Sequence, residues 1–216
     1  MSGIDLNSQF AWTYEDFLDR IDFDNWYYFL LVIKELIALR PRSVLEIGAG
    51  SEVIKNLSCR FIPDYKVMDI NPELNPDFVC DLRDFQPRLE RKFDCVVCTE
   101  VLEHCPFYDL DKGLANIRKY LTEIGKVIIT VPHQRYYFLF ITANRAHSFT
   151  LPIWVTPRDF YRRFIKKHLS IDPYHYWEIG NGKIGKVDFE QLLKRAGFRV
   201  DKFIKALYAD LFVLSR

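Results

Sequence analysis

The stretch VLEIGAG at residues 44–50 decides the fold of this 216-residue chain. An apolar strand runs here into a Gly-x-Gly turn, where the backbone can bend tightly and a ligand can approach without meeting a β-carbon. A lone Gly-x-Gly is a weak signal, and a purely structural turn explains it about as well. Motifs elsewhere in the sequence are needed to distinguish a ligand-binding turn from a purely structural one.

Strands and helices alternate around this turn, after a helix that begins near residue 13 and another over 25–39. Predicted strands cover 43–47, 65–70, 78–82, 93–98 and 126–131, and predicted helices cover 52–57, 108–121 and 187–196. Such alternation indicates parallel strands joined by right-handed crossovers. The last two predicted strands, 198–206 and 208–214, have almost no connection and must be antiparallel.

Two acidic residues end predicted strands on the same side as the glycine turn. Asp69 ends the second strand, where Rossmann-type proteins place an acid that accepts hydrogen bonds from both ribose hydroxyls. A turn-forming aspartate is the alternative. Asp81 and Leu82 end the third strand, where an acid can accept from an adenine amino group and a leucine can cover the ring.

The fourth strand continues into FDCVVCTEVLEH at residues 93–104. With the preceding motifs, this segment resembles the class I S-adenosylmethionine (SAM)-dependent methyltransferases, strongly over 40–132 and again at 175–178 and 192–198. The resemblance implies an α/β Rossmann-like sheet of order 3-2-1-4-5-7-6 with strand 7 antiparallel. N-terminal helices and a helical insertion after strand 5 complete the predicted fold.

The resemblance also implies which residues bind SAM, whose product is S-adenosylhomocysteine. They are Glu46, Gly48 and Gly50 around the methionine moiety with Ala49 between the glycines, Asp69 and Ile70 at the ribose and adenine, Asp81 and Leu82 at the adenine, and Thr99 or Glu100 beside the sulfonium. Many members have a third glycine where Glu52 stands, which leaves the path of the first helix after the turn open.

A general base is optional for methyl transfer, which needs mainly an aligned acceptor and exclusion of water. For a hydroxyl acceptor, His104 is the nearest candidate base and Glu103 its neighbour. The alternative is that both residues only cap and anchor the loop after strand four.

A metal-assisted 2′-O or catechol-type O-methyltransferase is an alternative that follows from a narrower resemblance, to ubiquinone-pathway and small-RNA 2′-O-methyltransferases. Their E-x-x-E-H and a later histidine imply that Glu100, Glu103, His104 and His175 together bind a divalent ion such as Mg, Mn or Zn. Because E-V-L-E-H also occurs in members without a metal, the sequence does not favour a metal.

We predict one domain over 1–216: an N-terminal helical cap (1–40), a SAM-binding core (41–131), an acceptor-side insertion (132–186), and a C-terminal helix with a β-hairpin (187–216). Within the insertion, 156–169 is predicted as an amphipathic basic helix. A lid over the active site is the favoured interpretation, ahead of a solvated charged face and a membrane-surface helix.

Composition and charge bear on the class of acceptor, the state of the cysteines and the location of the protein. The net charge of +1 argues against a nucleic-acid acceptor, although 132–170 is locally basic and 1–26 acidic. No signal peptide or transmembrane segment is evident, and the five cysteines are expected to be reduced thiols, so a cytoplasmic protein is predicted. The sequence does not distinguish a monomer from a homodimer, and it does not decide whether the protein contacts a membrane surface.

The sequence thus predicts SAM-dependent methyl transfer to a small-molecule or lipid- or sugar-linked acceptor, at oxygen rather than nitrogen. The alternatives are a non-catalytic SAM-binding regulatory domain and an NAD-dependent oxidoreductase. The missing third glycine, the E-V-L-E-H segment and the antiparallel last strand argue against the oxidoreductase.

Overall fold

The computed structural model describes residues 23–48, 50–142, 145–152, 161, 165, 171–181 and 184–216. The helix predicted near residue 13, the predicted helix over 156–169 and Ala49 therefore lie outside the described residues, apart from two isolated positions of the second helix. No helix among the described residues combines the length and the apolar character needed to cross a membrane.

The elements follow the predicted alternation. The helices are α1 (Phe23–Leu39), α2 (Val53–Ser58), α3 (Leu110–Tyr120) and α4 (Lys186–Arg195). The strands are β1 (Ser43–Ile47), β2 (Asp64–Asp69), β3 (Phe78–Val79), β4 (Phe93–Thr99), β5 (Leu121–Pro132), β6 (Arg135–Thr142), β7 (Arg145–Pro152), β8 (Arg199–Lys205) and β9 (Ala209–Ser215). Short 3-10 turns cover Pro72–Leu74, Pro87–Leu89, Leu102–His104 and Phe107–Asp109.

Seven strands form one sheet in the order β3-β2-β1-β4-β5-β9-β8. Strands β1 to β5 pair in parallel, and β9 is antiparallel to both β5 and β8. Counted without the β6–β7 hairpin, this is the order 3-2-1-4-5-7-6, which confirms the predicted fold class. The carboxyl ends of β1, β2 and β4 meet at one edge of the sheet, which is where such sheets bind ligands.

The two faces of the sheet carry separate apolar cores. Leu45 and Cys98 belong to the core covered by α3 and α4, whereas Val44 and Cys95 belong to the core covered by α1 and α2. Side chains alternate between faces along a strand, so Cys95 and Cys98 cannot meet. Their thiols therefore lie on opposite faces of the sheet.

Two strand boundaries differ from the prediction by more than one residue. Strand β3 ends at Val79, so Asp81 and Leu82 lie in the following loop, because the Asp81 side chain accepts a hydrogen bond from the Arg83 backbone N–H at 2.8 Å and forms a turn. Strand β5 already begins at Leu121, which pairs with Phe93.

The insertion after β5 begins with two strands that the sequence analysis did not predict, ahead of the predicted helix over 156–169. Strands β6 and β7 form a two-stranded antiparallel sheet in which Arg135 pairs with Pro152 and Thr142 with Arg145. The aromatic and β-branched residues of 135–142 favour a strand.

Candidate active site

A cavity opens at the carboxyl edge of β1, β2 and β4. It encloses about 750 Å³, its open mouth included. Its walls are Ile47, Gly48, Gly50, Met68, Asp69, Ile70, Cys80, Asp81, Leu82, Arg83, Thr99, Glu100, Val101, His104 and Cys105. Nine of these are predicted site residues: Gly48, Gly50, Asp69, Ile70, Asp81, Leu82, Thr99, Glu100 and His104.

The glycine turn forms the wall next to β1. Gly48 and Gly50 have positive φ angles of 88° and 46°, and the Gly48 N–H donates to the Met68 carbonyl at 2.9 Å. Glu52, which stands in place of a third glycine, has a left-handed φ of 55° and is the N-cap of α2. The turn therefore keeps a left-handed residue there, and the Lys55 ammonium donates to the Glu52 carboxylate at 2.8 Å.

Two carboxylates face the cavity from the β2 and β3 side. Asp69 is 5% exposed and accepts the Asn71 backbone N–H at 2.8 Å. Asp81 accepts from the Arg83 guanidinium through both oxygens, at 2.9 Å and 2.5 Å. This hydrogen bond holds the pKa of the Asp81 carboxyl below its usual range, so the carboxylate remains ionised.

Thr99, Glu100 and Val101 form the wall at the end of β4. Glu100 has a left-handed φ of 53°, and its carboxylate accepts from the Thr130 hydroxyl at 2.8 Å. Burial raises the pKa of Glu100 to about 7, although the hydrogen bond from Thr130 lowers it.

Glu103, His104 and His175 meet at the rim next to Glu100. Their potential ligand atoms all lie within 4.8 Å of one another, and the two imidazole rings are 5.1 Å apart between centroids. Glu103 is fully buried, and neither of its carboxylate oxygens has a hydrogen-bond partner among the described residues. Burial raises the pKa of Glu103 well above its usual range, with a further contribution from the charge of Glu100.

Both histidines are oriented through Nδ1. His104 Nδ1 lies 3.1 Å from the Tyr174 carbonyl oxygen, and His175 Nδ1 lies 2.8 Å from a Glu178 carboxylate oxygen. A carbonyl oxygen can only accept, so the proton of neutral His104 is on Nδ1 and its Nε2 carries a lone pair. Burial lowers the pKa of His104.

The 171–181 segment is fixed onto the turn that carries His104. The Tyr176 backbone N–H donates to the Glu103 carbonyl at 2.8 Å, and the indole of Trp177, 1% exposed, donates to the Cys105 carbonyl at 3.0 Å. Glu178 also accepts from the Asp172 backbone N–H at 3.1 Å. Although burial raises the pKa of Glu178, the hydrogen bond from His175 and the other donors hold it below its usual range.

Three predicted site residues do not line the cavity. Glu46 lies on the opposite face of β1, where it is 2% exposed and accepts the Tyr65 hydroxyl at 3.0 Å. Glu103 is buried behind the cavity wall. His175 lies at the rim of the cavity, in the cluster with Glu103 and His104. Ala49 lies outside the described residues.

Sequence reasoning missed several residues that complete the site. Thr130 and Tyr28 support Glu100 from neighbouring elements, and Arg83 holds Asp81. Of these three residues, Arg83 was the easiest to predict from sequence, because it directly follows Asp81 and Leu82. Nothing in the local sequence of Tyr28 or Thr130 connects either one with position 100.

Comparisons with known proteins agree with this geometry. The family described as "Methyltransferase domain" matches residues 20–202. No curated protein sequence matches the chain.

Solved structures share the fold at low sequence identity. A 1,6-didemethyltoxoflavin-N1-methyltransferase from Burkholderia thailandensis is 16% identical with a TM-score of 0.61, over 98% of this chain and 87% of that one. A sugar N-methyltransferase from a Streptoalloteichus species is 14% identical with a TM-score of 0.60, over 95% and 93%. A SAM-dependent methyltransferase from Clostridium acetobutylicum is 12% identical with a TM-score of 0.59, over 93% and 95%. With the family match covering most of its length, the chain belongs to the methyltransferase domain family and is a class I SAM-dependent methyltransferase.

Proposed function

We propose that this methyltransferase transfers the methyl group of SAM to an oxygen atom of a small-molecule or lipid- or sugar-linked acceptor. The observation that carries the proposal is the orientation of His104. This residue lines the cavity, and its bond to the Tyr174 carbonyl leaves the basic Nε2 available. A hydroxyl acceptor must lose its proton during transfer, and an imidazole nitrogen in this state can take it.

The described residues fit the methyl donor. Asp69 and Asp81 suit the ribose hydroxyls and the adenine amino group, because carboxylates accept hydrogen bonds from both. Ile70 and Leu82 supply an apolar surface for the adenine ring, and the glycine turn admits the methionine moiety. SAM supplies a methyl group on a positively charged sulfur, from which in-line displacement proceeds.

The chain's own residues perform the remaining tasks. The carboxylate of Glu100 lies at the wall that we assign to the donor's cationic end, so its negative charge is complementary there. His104 takes the acceptor proton. The 171–181 segment, which is bonded to Glu103 and Cys105, belongs to the acceptor-side insertion and supports its assignment to acceptor binding.

Methyl transfer from isotopically labelled SAM tests the proposal. Panels of phenolic, sugar-hydroxyl and amine acceptors are incubated with the protein, and the methylated atom is identified by mass spectrometry and NMR. We expect product from hydroxyl acceptors and a fall in kcat of about 10²-fold or more in His104→Asn. Transfer to amines alone, or a His104→Asn variant with unchanged kcat, would contradict oxygen methylation by this base.

A metal-assisted reaction is the second candidate, and the cluster of Glu103, His104 and His175 favours it. Both histidines bind their acceptors through Nδ1 and leave Nε2 for a ligand, which is the arrangement that neighbouring carboxylates and carbonyls produce at metal sites. The unpartnered buried carboxylate of Glu103 fits a cation as well. An ion held there would act as a Lewis acid toward the acceptor oxygen.

Removal of His175 separates the two candidates. If His104 acts alone as a base, His175→Ala should retain most of kcat and calorimetry should detect no Mg, Mn or Zn binding to the SAM-loaded protein. If a metal is required, His175→Ala should lose metal binding and activity together.

A nitrogen acceptor is the principal rival for the acceptor atom. Two of the three solved structures named above are N-methyltransferases by name, at identities that show the fold alone. A nitrogen acceptor that is already neutral needs no base, so an acceptor of that kind would leave His104 without this role.

A further inference from the structure

Tyr28, Thr130 and Glu100 form a hydrogen-bonded chain from helix α1 to the wall of the cavity. The Tyr28 hydroxyl lies 2.9 Å from Thr130 Oγ1, and Thr130 Oγ1 donates to Glu100 Oε1 at 2.8 Å. Tyr28 is 3% exposed and Thr130 0%, so water does not compete for their hydroxyls. Elements distant in sequence thus meet behind one carboxylate of the site.

The hydrogen bonds of this chain run in one direction. A threonine hydroxyl has one proton and two lone pairs. Its proton goes to the Glu100 carboxylate, and one lone pair accepts the Glu100 backbone N–H at 3.2 Å. The second lone pair therefore accepts the Tyr28 proton, and every hydrogen-bonding position of Thr130 Oγ1 is used.

Thr130 holds the backbone of Glu100 as well as its side chain. The Glu100 N–H also lies 3.3 Å from the Thr130 carbonyl oxygen, at a residue whose φ of 53° is uncommon outside glycine. A residue in such a conformation persists where its surroundings over-determine it, which is frequent at functional sites. The two bonds to Thr130 supply that constraint.

We propose that Tyr28 and Thr130 are positioning residues that hold the Glu100 carboxylate toward the cationic end of the methyl donor. This rests on the proposed place of Glu100 in the SAM site. A charge that is already oriented costs no reorganisation when the ligand binds. Helix α1, far from β4 in sequence, thereby contributes to SAM affinity through one hydroxyl.

SAM dissociation constants from calorimetry in metal-free buffer test the proposal. Thr130→Val is expected to weaken SAM binding by about tenfold, because it removes a hydrogen bond to a charged group. Thr130→Ser keeps the hydroxyl and should retain affinity. Tyr28→Phe should weaken binding several-fold, and it should cause no further loss in a Glu100→Ala background, because residues that act through one group are not additive.

Tyr208→Phe is the matched control for a general loosening of α1. The Tyr208 ring packs on Tyr28 with centroids 5.3 Å apart, and its hydroxyl lies 3.1 Å from Asn25 Oδ1. It therefore anchors the same helix without bonding to Glu100. We expect Tyr208→Phe to bind SAM like the unmodified protein, and circular dichroism verifies that each variant folds. If Thr130→Val does not fold, the SAM affinity of Thr130→Ser and the double-mutant cycle of Tyr28→Phe with Glu100→Ala still test the proposal.

Two results would overturn the proposal while leaving the SAM site itself in place: additive losses in Tyr28→Phe and Glu100→Ala, or a Tyr208→Phe loss as large as that of Tyr28→Phe. An unchanged affinity in Glu100→Ala alone would instead remove Glu100 from the SAM site, and the proposed function of that wall with it.

Discussion

Gly48 and Val101 approach so closely that no β-carbon fits between them. A β-carbon built on Gly48 would lie 2.5 Å from Val101 Cγ2, at a residue whose φ is 88°. Position 48 therefore needs glycine for two reasons. Its backbone has a positive φ, and the loop after β4 leaves no room for a β-carbon. These two loops form adjacent walls of the cavity.

Gly48→Ala should consequently destabilise the protein. We expect the free energy of unfolding to fall by about 2–4 kcal/mol, from the strained φ and the overlap together. Val101→Ala in the same chain should restore part of the loss by removing the overlap. Denaturant unfolding measures both.

Gly50→Ala is the matched control for Gly48. Its φ is also positive, at 46°, but a β-carbon there would meet nothing within 4 Å. A loss of only about 1 kcal/mol is expected. Equal losses at the two glycines, or no recovery in the Val101→Ala double variant, would contradict the steric explanation.

Glu46 should make the stability of the protein fall with rising pH. Burial raises the pKa of Glu46 from 4.5 to about 8, against the lowering effects of the Tyr65 hydroxyl and Lys55, and Glu52 raises it further. Between these values the folded protein keeps a proton that the unfolded chain has released. Stability is therefore highest near the lower value and is lost toward the higher one, by at most about 1.4 kcal/mol per pH unit.

Glu46→Gln should flatten this dependence and gain stability relative to the unmodified protein at pH values near 8. Thermal unfolding across the same range measures it, with Glu190→Gln, at the partly exposed Lys186 pair, as the control outside the core. A Glu46→Gln variant that keeps the full slope would show that another group is responsible.

Arg83 should support SAM binding through Asp81. The guanidinium contacts both carboxylate oxygens. Arg83→Ala leaves the carboxylate only the hydrogen bond from the backbone N–H of residue 83 and raises the pKa of Asp81 toward its usual range. We expect a loss of SAM affinity of about tenfold or less, measured by calorimetry. Arg199→Ala breaks an Arg–Asp pair of the same spacing, with Asp201 at 2.9 Å, outside the cavity, and an equal loss there would refute the specific role.

The cysteines should differ sharply in reactivity. Cys59 is exposed, whereas Cys95 and Cys98 are fully buried, and burial raises the pKa of both thiols. Cys105 lines the cavity, and burial raises its pKa to about 11. Because the thiolate is the reactive form, iodoacetamide should label Cys59 first and Cys105 slowly.

SAM should slow the labelling of Cys105 further without affecting Cys59, as peptide mass spectrometry would detect. Labelling of Cys95 or Cys98 at the rate of Cys59 in the folded protein would contradict the packing described for the two cores.

The sheet could be predicted from sequence because its signals are local. A strand, a glycine turn and an acid follow one another within 44–69, and parallel strands bring their carboxyl ends to one edge. The site residues predicted from those ends accordingly meet in one cavity. Glu46 was implied only by the family resemblance, and strand alternation directs its side chain to the other face of β1.

The parts that sequence reasoning missed depend on tertiary contacts. Thr130 supports Glu100 only because β5 lies beside β4 in the sheet, and Tyr28 reaches Thr130 only because α1 packs on that face. The β6–β7 hairpin was missed for a different reason, since its aromatic residues fit both a lid and a strand.

A crystal structure of the protein with S-adenosylhomocysteine tests the central claim most directly. The adenosyl group should lie between the Gly48 turn and Asp69, with the Asp69 carboxylate within hydrogen-bond distance of the ribose hydroxyls and the ligand sulfur toward Glu100 and His104. An adenosyl group bound at another surface, or one that makes no contact with Asp69, would contradict the account.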